Sequence, residues 1–189
     1  MDEVVFSKTS SMTRAYSHRG ENATVDLSVV PASFMSAIAG ISYERGKELI
    51  EIQNDAVDAD DFSEYLIGLS ERHSNRKLAI FIDNLSVHHT SDVKTLCEEL
   101  GIRVIYNRPY SPDFNPIEFV FSNVKNHFKR ARFNLEHNSK TYDMGALIEK
   151  AFSSVKLTAI RNSINYSMSL LGVPDVDTVF PKTVSEGAN

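Results

Sequence analysis

The pattern of hydrophobic and polar positions is clearest over residues 110–132, where it predicts an amphipathic helix at 116–131. Three prolines fall within residues 109–116, so the approach to this helix is not expected to be helical itself. Asn115 suits the N-cap and Glu118 lies in the first turn. The apolar residues recur at the spacing of one buried helix face: Ile117, Val120, Phe121, Val124 and Phe128.

Upstream of this helix, short apolar runs bounded by turn residues predict β-strands. A short extended segment is expected at 4–6. Three antiparallel strands with short connections are expected to follow, the first within 24–35 and ending at Pro31, the others at 35–43 and 47–53. A continuous apolar run over 77–83 is typical of a strand buried on both faces. A short helix over 91–100 and a strand over 102–106 follow it, and this order predicts a parallel pair with a right-handed crossover.

The order of elements predicts an α/β fold with a mixed sheet of about five strands and helices on its faces. Further helices are indicated around 62–69, at about 143–154 and at about 157–171. We therefore expect one domain over 1–171, followed by a loosely ordered tail over 172–189. Side chains that perform chemistry are expected at strand ends and in the connecting loops.

Length and composition limit the classes of protein and site. At 189 residues, 42% of them hydrophobic, the chain is long enough for one domain with a sizeable core. Its single cysteine, Cys97, excludes an intrachain disulfide and a cysteine-based zinc site. Because the sequence has no signal peptide and no apolar run near about 18 residues, we expect a soluble, intracellular chain without a membrane partner.

Charge is distributed unevenly along the chain, although its net value of −5 argues against a general nucleic-acid binder. Residues 1–100 carry 9 Lys and Arg against 17 Asp and Glu, whereas residues 101–170 carry 10 against 5. A polyanion is therefore expected to meet the second part. The densest basic cluster there is compatible either with a solvated helix face or with phosphate contacts, and it consists of Lys125, Lys129, Arg130 and Arg132.

Three carboxylates lie at the ends of predicted elements and could converge on one edge of the sheet. Asp2 stands at the start of the first strand, Asp83 at the carboxyl end of the buried strand, and Glu118 at the helix start. Clustered carboxylates raise one another's pKa unless a cation neutralises them. Oxygen ligands with few histidines suit Mg²⁺ or Mn²⁺, and two such ions can clamp the attacking and leaving oxygens of a phosphoryl transfer.

Each acid, taken alone, also has a simpler interpretation. An isolated aspartate at a strand end, such as Asp83, is more often a turn or cap residue than a catalyst. Asn115 and Glu118 together match a variant of the capping box, in which both side chains satisfy backbone amides at a helix start. For either acid alone, this structural role is the favoured interpretation.

Two stretches of the chain read FIDNLSVHHT and, further on, YNRPYSPDFNPIEFVFSNVKNHFKR. They resemble the catalytic core of mariner-like transposases and related insertion-sequence transposases of the DDE superfamily. Members of this family carry an Asp-Asn pair, a histidine a few residues on, and a Tyr-Ser-Pro-Asp-x-Asn-Pro-Ile-Glu signature. Between Asp83 and Glu118 lie 34 residues, which matches the spacing of one large branch. The resemblance covers roughly residues 1–132, is strongest in 78–130, and implies a ribonuclease H-like fold.

The resemblance also implies a role for each acid. Asp83 matches the second catalytic acid and Glu118 the third, while Asp2, in an Asp-Glu pair, matches the first. Together they would hold two Mg²⁺ or Mn²⁺ ions. Asn84 and His88 are placed near the site without a role. The implied activity is metal-dependent cleavage of a DNA phosphodiester, followed by transfer of the freed strand to target DNA.

By the same resemblance, the expected partners are transposon ends and target DNA, with assembly as a homodimer. The expected location is where DNA is, in the nucleus of a eukaryote or in the cytoplasm and nucleoid of a bacterium. Arg19 and Gly20 resemble an arginine–glycine turn of the family. Asp113 belongs to the signature but not to the metal triad.

The chain departs from the family at its start, because Asp2 directly follows Met1. The apolar half of the first strand is missing, as are helix-turn-helix modules, so the central strand is truncated and loses ladder bonds and packing. We therefore expect a catalytic-domain fragment, a shortened gene copy or one of two adjoining reading frames. Two alternatives remain: a catalytically lapsed remnant that acts as a binding or assembly module, and a ribonuclease H-like nuclease without strand transfer.

Overall fold

The computed structural model of the protein describes residues 1–8, 18–20, 33–74 and 76–173. The strands in this part are β1 (Asp2–Ser7), β2 (Phe34–Ser42), β3 (Gly46–Gln53), β4 (Leu78–Ile82) and β5 (Ile102–Tyr106). The helices are α1 (Ala59–Arg72), α2 (Ser91–Glu99), α3 (Pro116–His137), α4 (Met144–Ser153) and α5 (Leu157–Leu170). Short 3-10 turns, Ser86–His89 and Pro112–Phe114, precede α2 and α3.

These elements confirm the order predicted from the periodicity, and α3 extends beyond its predicted end at residue 131 to His137. The strand predicted over 24–35 and the tail predicted over 172–189 lie almost entirely outside the described residues. Among the described residues, no helix is both long enough and apolar enough to span a membrane.

Hydrogen bonding in the described residues forms two sheets, not one continuous sheet of five strands. β1, β2 and β3 make an antiparallel meander, in which Asp2 lies opposite Ala39. β4 and β5 pair in parallel along their whole length. The predicted α/β class, the meander and the parallel pair are therefore confirmed, whereas the single five-stranded sheet is not found.

The two sheets meet at the first residue of the chain. The backbone nitrogen of Met1 donates to the Phe81 carbonyl oxygen at 2.7 Å. On the other side of that bond, β2 continues from Gly40 to Ser42 and β4 begins at Leu78, with no strand between them in the part of the chain that is described.

Two apolar cores cover opposite faces of the sheets. One packs α3, α4 and α5 against β1, where the Phe6 ring meets Phe128 edge-on at 5.2 Å. The other packs α1 and α2 against β4 and β5, and it includes the buried Cys97. The apolar face predicted for α3 is confirmed, since each of its five residues is at most 2% exposed: Ile117, Val120, Phe121, Val124 and Phe128.

A close contact between Gly40 of β2 and Tyr65 of α1 supports a test of this packing. Tyr65 is fully buried and its hydroxyl donates to the Leu49 carbonyl at 3.1 Å. A Cβ atom at Gly40 would lie 2.7 Å from that hydroxyl oxygen. We expect Gly40→Ala to lower the free energy of unfolding by about 1–3 kcal/mol, because the rigid ring has no room to move. Urea unfolding measures the difference.

The control for Gly40→Ala is the same substitution in a Tyr65→Phe background, where the clashing oxygen is gone. There its cost should be less than half as large. Equal costs in both backgrounds would contradict the steric explanation.

Candidate active site

The strand β1 brings two neighbouring acids to one edge of the sheet, pointing to opposite faces. Asp2 is 6% exposed, and its Oδ2 accepts a hydrogen bond from Asn115 Nδ2 at 2.8 Å. Its Oδ1 accepts from the Glu3 amide at 2.8 Å. Asp2 thus faces the start of α3. On the other face, Glu3 Oε1 lies 2.9 Å from His88 Nε2.

Asp83 follows the last residue of β4, and the 3-10 turn after it carries His88 back towards it. Asp83 Oδ1 accepts from the Leu85 amide at 3.2 Å and lies 3.1 Å from His88 Nδ1. The His88 ring is 1% exposed and packs on Phe62, with centroids 4.4 Å apart. His88 therefore bridges Asp83 and Glu3. Each of these three side chains offers one possible ligand atom, and the three atoms lie within 4.8 Å of one another. This spacing could hold a metal ion.

The approach to α3 places Glu118 at the same edge. Tyr110 has a φ of 56°, in the left-handed region, so the chain turns sharply after β5 before the 3-10 turn begins. Asn115 then occupies the predicted N-cap position, but in the described structure its side chain bonds Asp2 and not the helix amides. The capping box considered for Glu118 therefore does not form. Glu118 is exposed in the first turn, where the helix dipole favours a carboxylate.

The electrostatics of Asp2 link the three sequence-predicted acids. Burial raises the pKa of Asp2 to about 7, and the negative charges of Asp83, Glu3 and Glu118 act in the same direction. The charges of the other two predicted acids, Asp83 and Glu118, thus both act on Asp2. A divalent cation beside them would favour the ionised form of Asp2.

For His88, in contrast to Asp2, the surroundings favour the charged form. Burial opposes its positive charge, but hydrogen bonds to Asp83 and Glu3 outweigh burial and raise the pKa of His88 to about 9. Burial likewise acts to raise the pKa of Asp83, but the hydrogen bonds from His88 and the Leu85 amide outweigh it, and that pKa is lowered. At neutral pH, His88 is therefore a cation held between two carboxylates.

Glu3 is a site residue to which the sequence analysis assigned no role. Its Oε2 is buried and has no hydrogen-bond partner among the described residues. A buried carboxylate oxygen without a partner is costly unless a cation occupies the site, so this atom fits a metal centre. The sequence did not indicate a role for Glu3, because neighbouring residues on a strand point to opposite faces and Glu3 was not expected to share a site with Asp2. The available signal was its position directly after Asp2.

The sequence also predicted Asn84 near the site and a basic cluster on α3. The Asn84 side chain donates to the Asn107 carbonyl, so it joins the ends of β4 and β5. Lys125 and Arg130 are exposed on α3, and Lys129 is half-buried.

Arg132 departs from its predicted place in the basic cluster. It is 3% exposed, and its guanidinium donates to the carbonyls of Ser7 and Lys8 at the end of β1. A side chain buried in this way does not present its charge to a phosphate backbone. Arg132 is therefore not included in the DNA surface proposed below. Its spacing on α3 offered a signal of this burial, because position 132 lies four residues after Phe128 on the buried face of the helix.

A sequence model of the DDE superfamily endonuclease family matches residues 1–138. A search of curated proteins finds no sequence match. Solved structures of similar fold include the Mos1 strand transfer complex, with a TM-score of 0.67 at 17% identity, covering 90% of this chain and 51% of that one. They also include a Mos1 transposase paired-end complex with the left transposon end, with a TM-score of 0.63 at 18% identity, covering 86% and 49%.

A third similar structure is a Mos1 mariner paired-end complex with Mn, with a TM-score of 0.64 at 15% identity, covering 90% of this chain and 53% of that one. The chain spans about half the length of these solved chains. At such low identity the comparison concerns the fold, and it agrees with the predicted α/β, ribonuclease H-like class.

The raised pKa of Asp2 has a measurable consequence for the metal-free protein. The folded state holds a proton on Asp2 up to about pH 7, whereas the unfolded chain releases it near 3.8. The contribution of Asp2 to stability therefore falls as pH rises through this window. We expect Asp2→Asn, which stays neutral, to gain stability relative to wild type between pH 4 and pH 8, by on the order of 2–4 kcal/mol.

This gain is measured by urea unfolding in EDTA at several pH values. Asp113→Asn, an exposed aspartate of the same signature, is the matched control and should show no such trend. A difference between Asp2→Asn and wild type that stays constant from pH 4 to pH 8 would contradict the burial of Asp2 among other acids.

Proposed function

The chain belongs to the DDE superfamily endonuclease family, and we propose that residues 1–171 form the catalytic domain of a DNA transposase. The proposed reaction is hydrolysis of a DNA phosphodiester, followed by attack of the freed 3′-hydroxyl on target DNA. The observations that support this proposal are the family match over residues 1–138 and the cluster of Glu3, Asp83 and His88, whose possible ligand atoms lie within 4.8 Å of one another. Such a cluster is typical of carboxylates that share a cation.

Asp2, Asp83 and Glu118 are proposed as the ligands of two Mg²⁺ or Mn²⁺ ions, with Glu3 beside them. Hard oxygen donors of this kind suit both metals. When bound, the ions would stabilise negative charge on the phosphate and activate the attacking oxygen. That one similar solved structure is a paired-end complex with Mn supports the choice of metal.

The other side chains of the site hold these acids in place. Asn115 fixes one oxygen of Asp2 by its hydrogen bond of 2.8 Å. His88, held between Asp83 and Glu3, fixes both carboxylates and offsets part of their mutual repulsion. Catalysis by metal-bound acids depends on such positioning, because reacting groups displaced by about 1 Å lose much of their effect. His88 and Asn115 are therefore proposed as positioning residues.

The proposed DNA surface lies on α3, next to Glu118. Lys125, Lys129 and Arg130 follow Glu118 along the helix, and phosphate contacts there would lead a strand towards the acids. The similar structures are a strand transfer complex and paired-end complexes. By that analogy, the proposed partners of this chain are transposon ends and target DNA. The chain would bind them as a homodimer, in the cell compartment that contains the DNA.

Two other functions use the same acids. A catalytically lapsed protein could retain the acids yet act as a binding or assembly module. The same acids without strand transfer would make a ribonuclease H-like nuclease. Plasmid nicking and strand transfer from a pre-cut end separate these candidates from a transposase.

For the chain 1–189 alone, we expect at most weak, non-specific nicking of supercoiled plasmid in Mg²⁺ or Mn²⁺. Asp83→Ala and Glu118→Ala should each lower that rate by at least about 100-fold, because each removes a metal ligand. Asp113→Ala is the matched control and should stay within about threefold of wild type. Nicking that survives either ligand substitution would contradict the assignment, and robust sequence-specific excision would contradict the expected weakness.

Metal binding can be measured without catalysis. We expect Mg²⁺ or Mn²⁺ to raise the Tm of the wild type by about 5 °C or more at roughly 100-fold excess over Kd. Asp83→Ala should abolish this rise, whereas Asp113→Ala should keep it. An equal rise in wild type and Asp83→Ala would show that the metal binds elsewhere.

A further inference from the structure

The loop between β5 and α3 carries a tyrosine with an unusual conformation and an unusual exposure. Tyr110 is fully exposed, so no described residue covers either face of its ring. Its φ of 56° lies in the left-handed region, which is rare for a residue with a bulky side chain. Such backbone conformations cost free energy and occur most often at sites of binding or catalysis. The conformation and the exposure together indicate a ring that is presented to a ligand.

The buried side chain of Asn107 holds the loop around Tyr110 in this shape. It donates to the Ser111 carbonyl oxygen at 2.8 Å and accepts from the Arg108 amide at 2.8 Å. These two bonds close residues 107–111 into a small loop that has the tyrosine on its outer side. A strained conformation persists only where the surrounding bonds enforce it, and here those bonds lie on both sides of Tyr110.

The same asparagine attaches the loop to both neighbours of Asp83. The Asn107 amide donates to the Ile82 carbonyl at 2.7 Å, and the Asn107 carbonyl accepts from the Asn84 side chain. At its other end, the loop leads through the 3-10 turn into α3, whose first turn carries Glu118. The exposed ring is thus held on the segment that joins two of the acids. Asn84, which the sequence analysis placed near the site without a role, anchors this segment.

We propose that Tyr110 stacks on an unpaired nucleobase next to the phosphate on which the acids act. This inference rests on the proposed function, because it takes DNA as the substrate. An exposed ring suits a base of any identity, since every base has a π face that stacks on aromatic side chains. Bases within a duplex are covered by their neighbours, so only an unpaired or flipped base can reach the ring. Arg108, exposed in the same loop, is placed to contact the phosphate beside that base.

Stacking on Tyr110 determines which form of DNA the site selects. The stacking energy offsets part of the cost of unpairing a base, so DNA that is frayed or distorted at the cleavage point is preferred over intact duplex. A base held on the ring also fixes the adjacent phosphate relative to Asp83 and Glu118. Tyr110 is therefore a specificity-determining residue of the proposed reaction.

The test measures binding of two short DNA duplexes of the same sequence to the full chain in Mg²⁺. One duplex is blunt, and the frayed duplex carries three unpaired nucleotides at one end, the first of them 2-aminopurine. The wild type should bind the frayed duplex at least about fivefold more tightly and quench the 2-aminopurine fluorescence. Tyr110→Ala should remove both the preference and the quenching while leaving blunt-duplex affinity within twofold. Tyr110→Phe should behave as wild type, because stacking needs no hydroxyl.

Phe34→Ala is the matched control for loss of an exposed aromatic ring. Phe34 is 43% exposed and lies opposite Ser7, at the far end of β1 from Asp2. Its substitution should leave the affinity for both duplexes within twofold. An unchanged preference in Tyr110→Ala, or an equal loss of affinity for both duplexes, would overturn the proposal. A wild type that binds the blunt duplex without preferring the frayed one would overturn only this proposal, whereas binding of neither duplex would contradict the proposed function as well.

Tyr110→Gly separates a ligand contact from a structural role, because glycine adopts a φ of 56° without strain. The Tm of the DNA-free protein should rise by about 2–4 °C, since the strain of the left-handed tyrosine is removed. Affinity for the frayed duplex should still fall at least about fivefold. A fall in Tm would show that the ring supports the fold and would overturn the proposal.

Discussion

The hydrogen bond between Asn115 and Asp2 is the interaction on which the geometry of the site most depends. Both side chains are buried, and the bond joins residues that are 113 positions apart in the sequence. It fixes the start of α3 against the first residues of β1. Glu118 lies one turn into the helix that this bond anchors, so the position of the third acid relative to the first follows from it. Breaking it would leave a buried carboxylate that has lost one of its two hydrogen bonds.

The balance of charge among the acids and His88 is the second constraint on the site. The acids of the site repel one another, and the fold partly compensates with a buried, protonated histidine between Asp83 and Glu3. This compensation does not reach Asp2, whose pKa remains raised by burial and by the other carboxylates. The protein's own groups thus neutralise the acids only in part, so a bound cation would lower the free energy of the site.

Much of the fold and part of the site could be predicted from the sequence. The apolar face of α3, the buried strand β4 and the parallel pair follow from local periodicity, because one element suffices to reveal each. The triad could be proposed because Asp83 and Glu118 stand at element ends within a long motif. Two features could not be predicted, since each depends on contacts between distant elements. These are the side chain of Asn115 bonding Asp2 in preference to the helix amides, and the division of the sheet beside Met1.

The buried Arg132 has a mechanical consequence. Near one end of α3, Asn115 is bound to Asp2, and about 25 Å further along the helix, Arg132 is bound to the carbonyls of Ser7 and Lys8. The strand between those contacts is about 20 Å long, so the helix is fastened to both ends of β1. Helix and strand should therefore move as one stiff body. A force applied to the exposed Lys125 of α3 would be transmitted to the first acid without passing through a flexible joint.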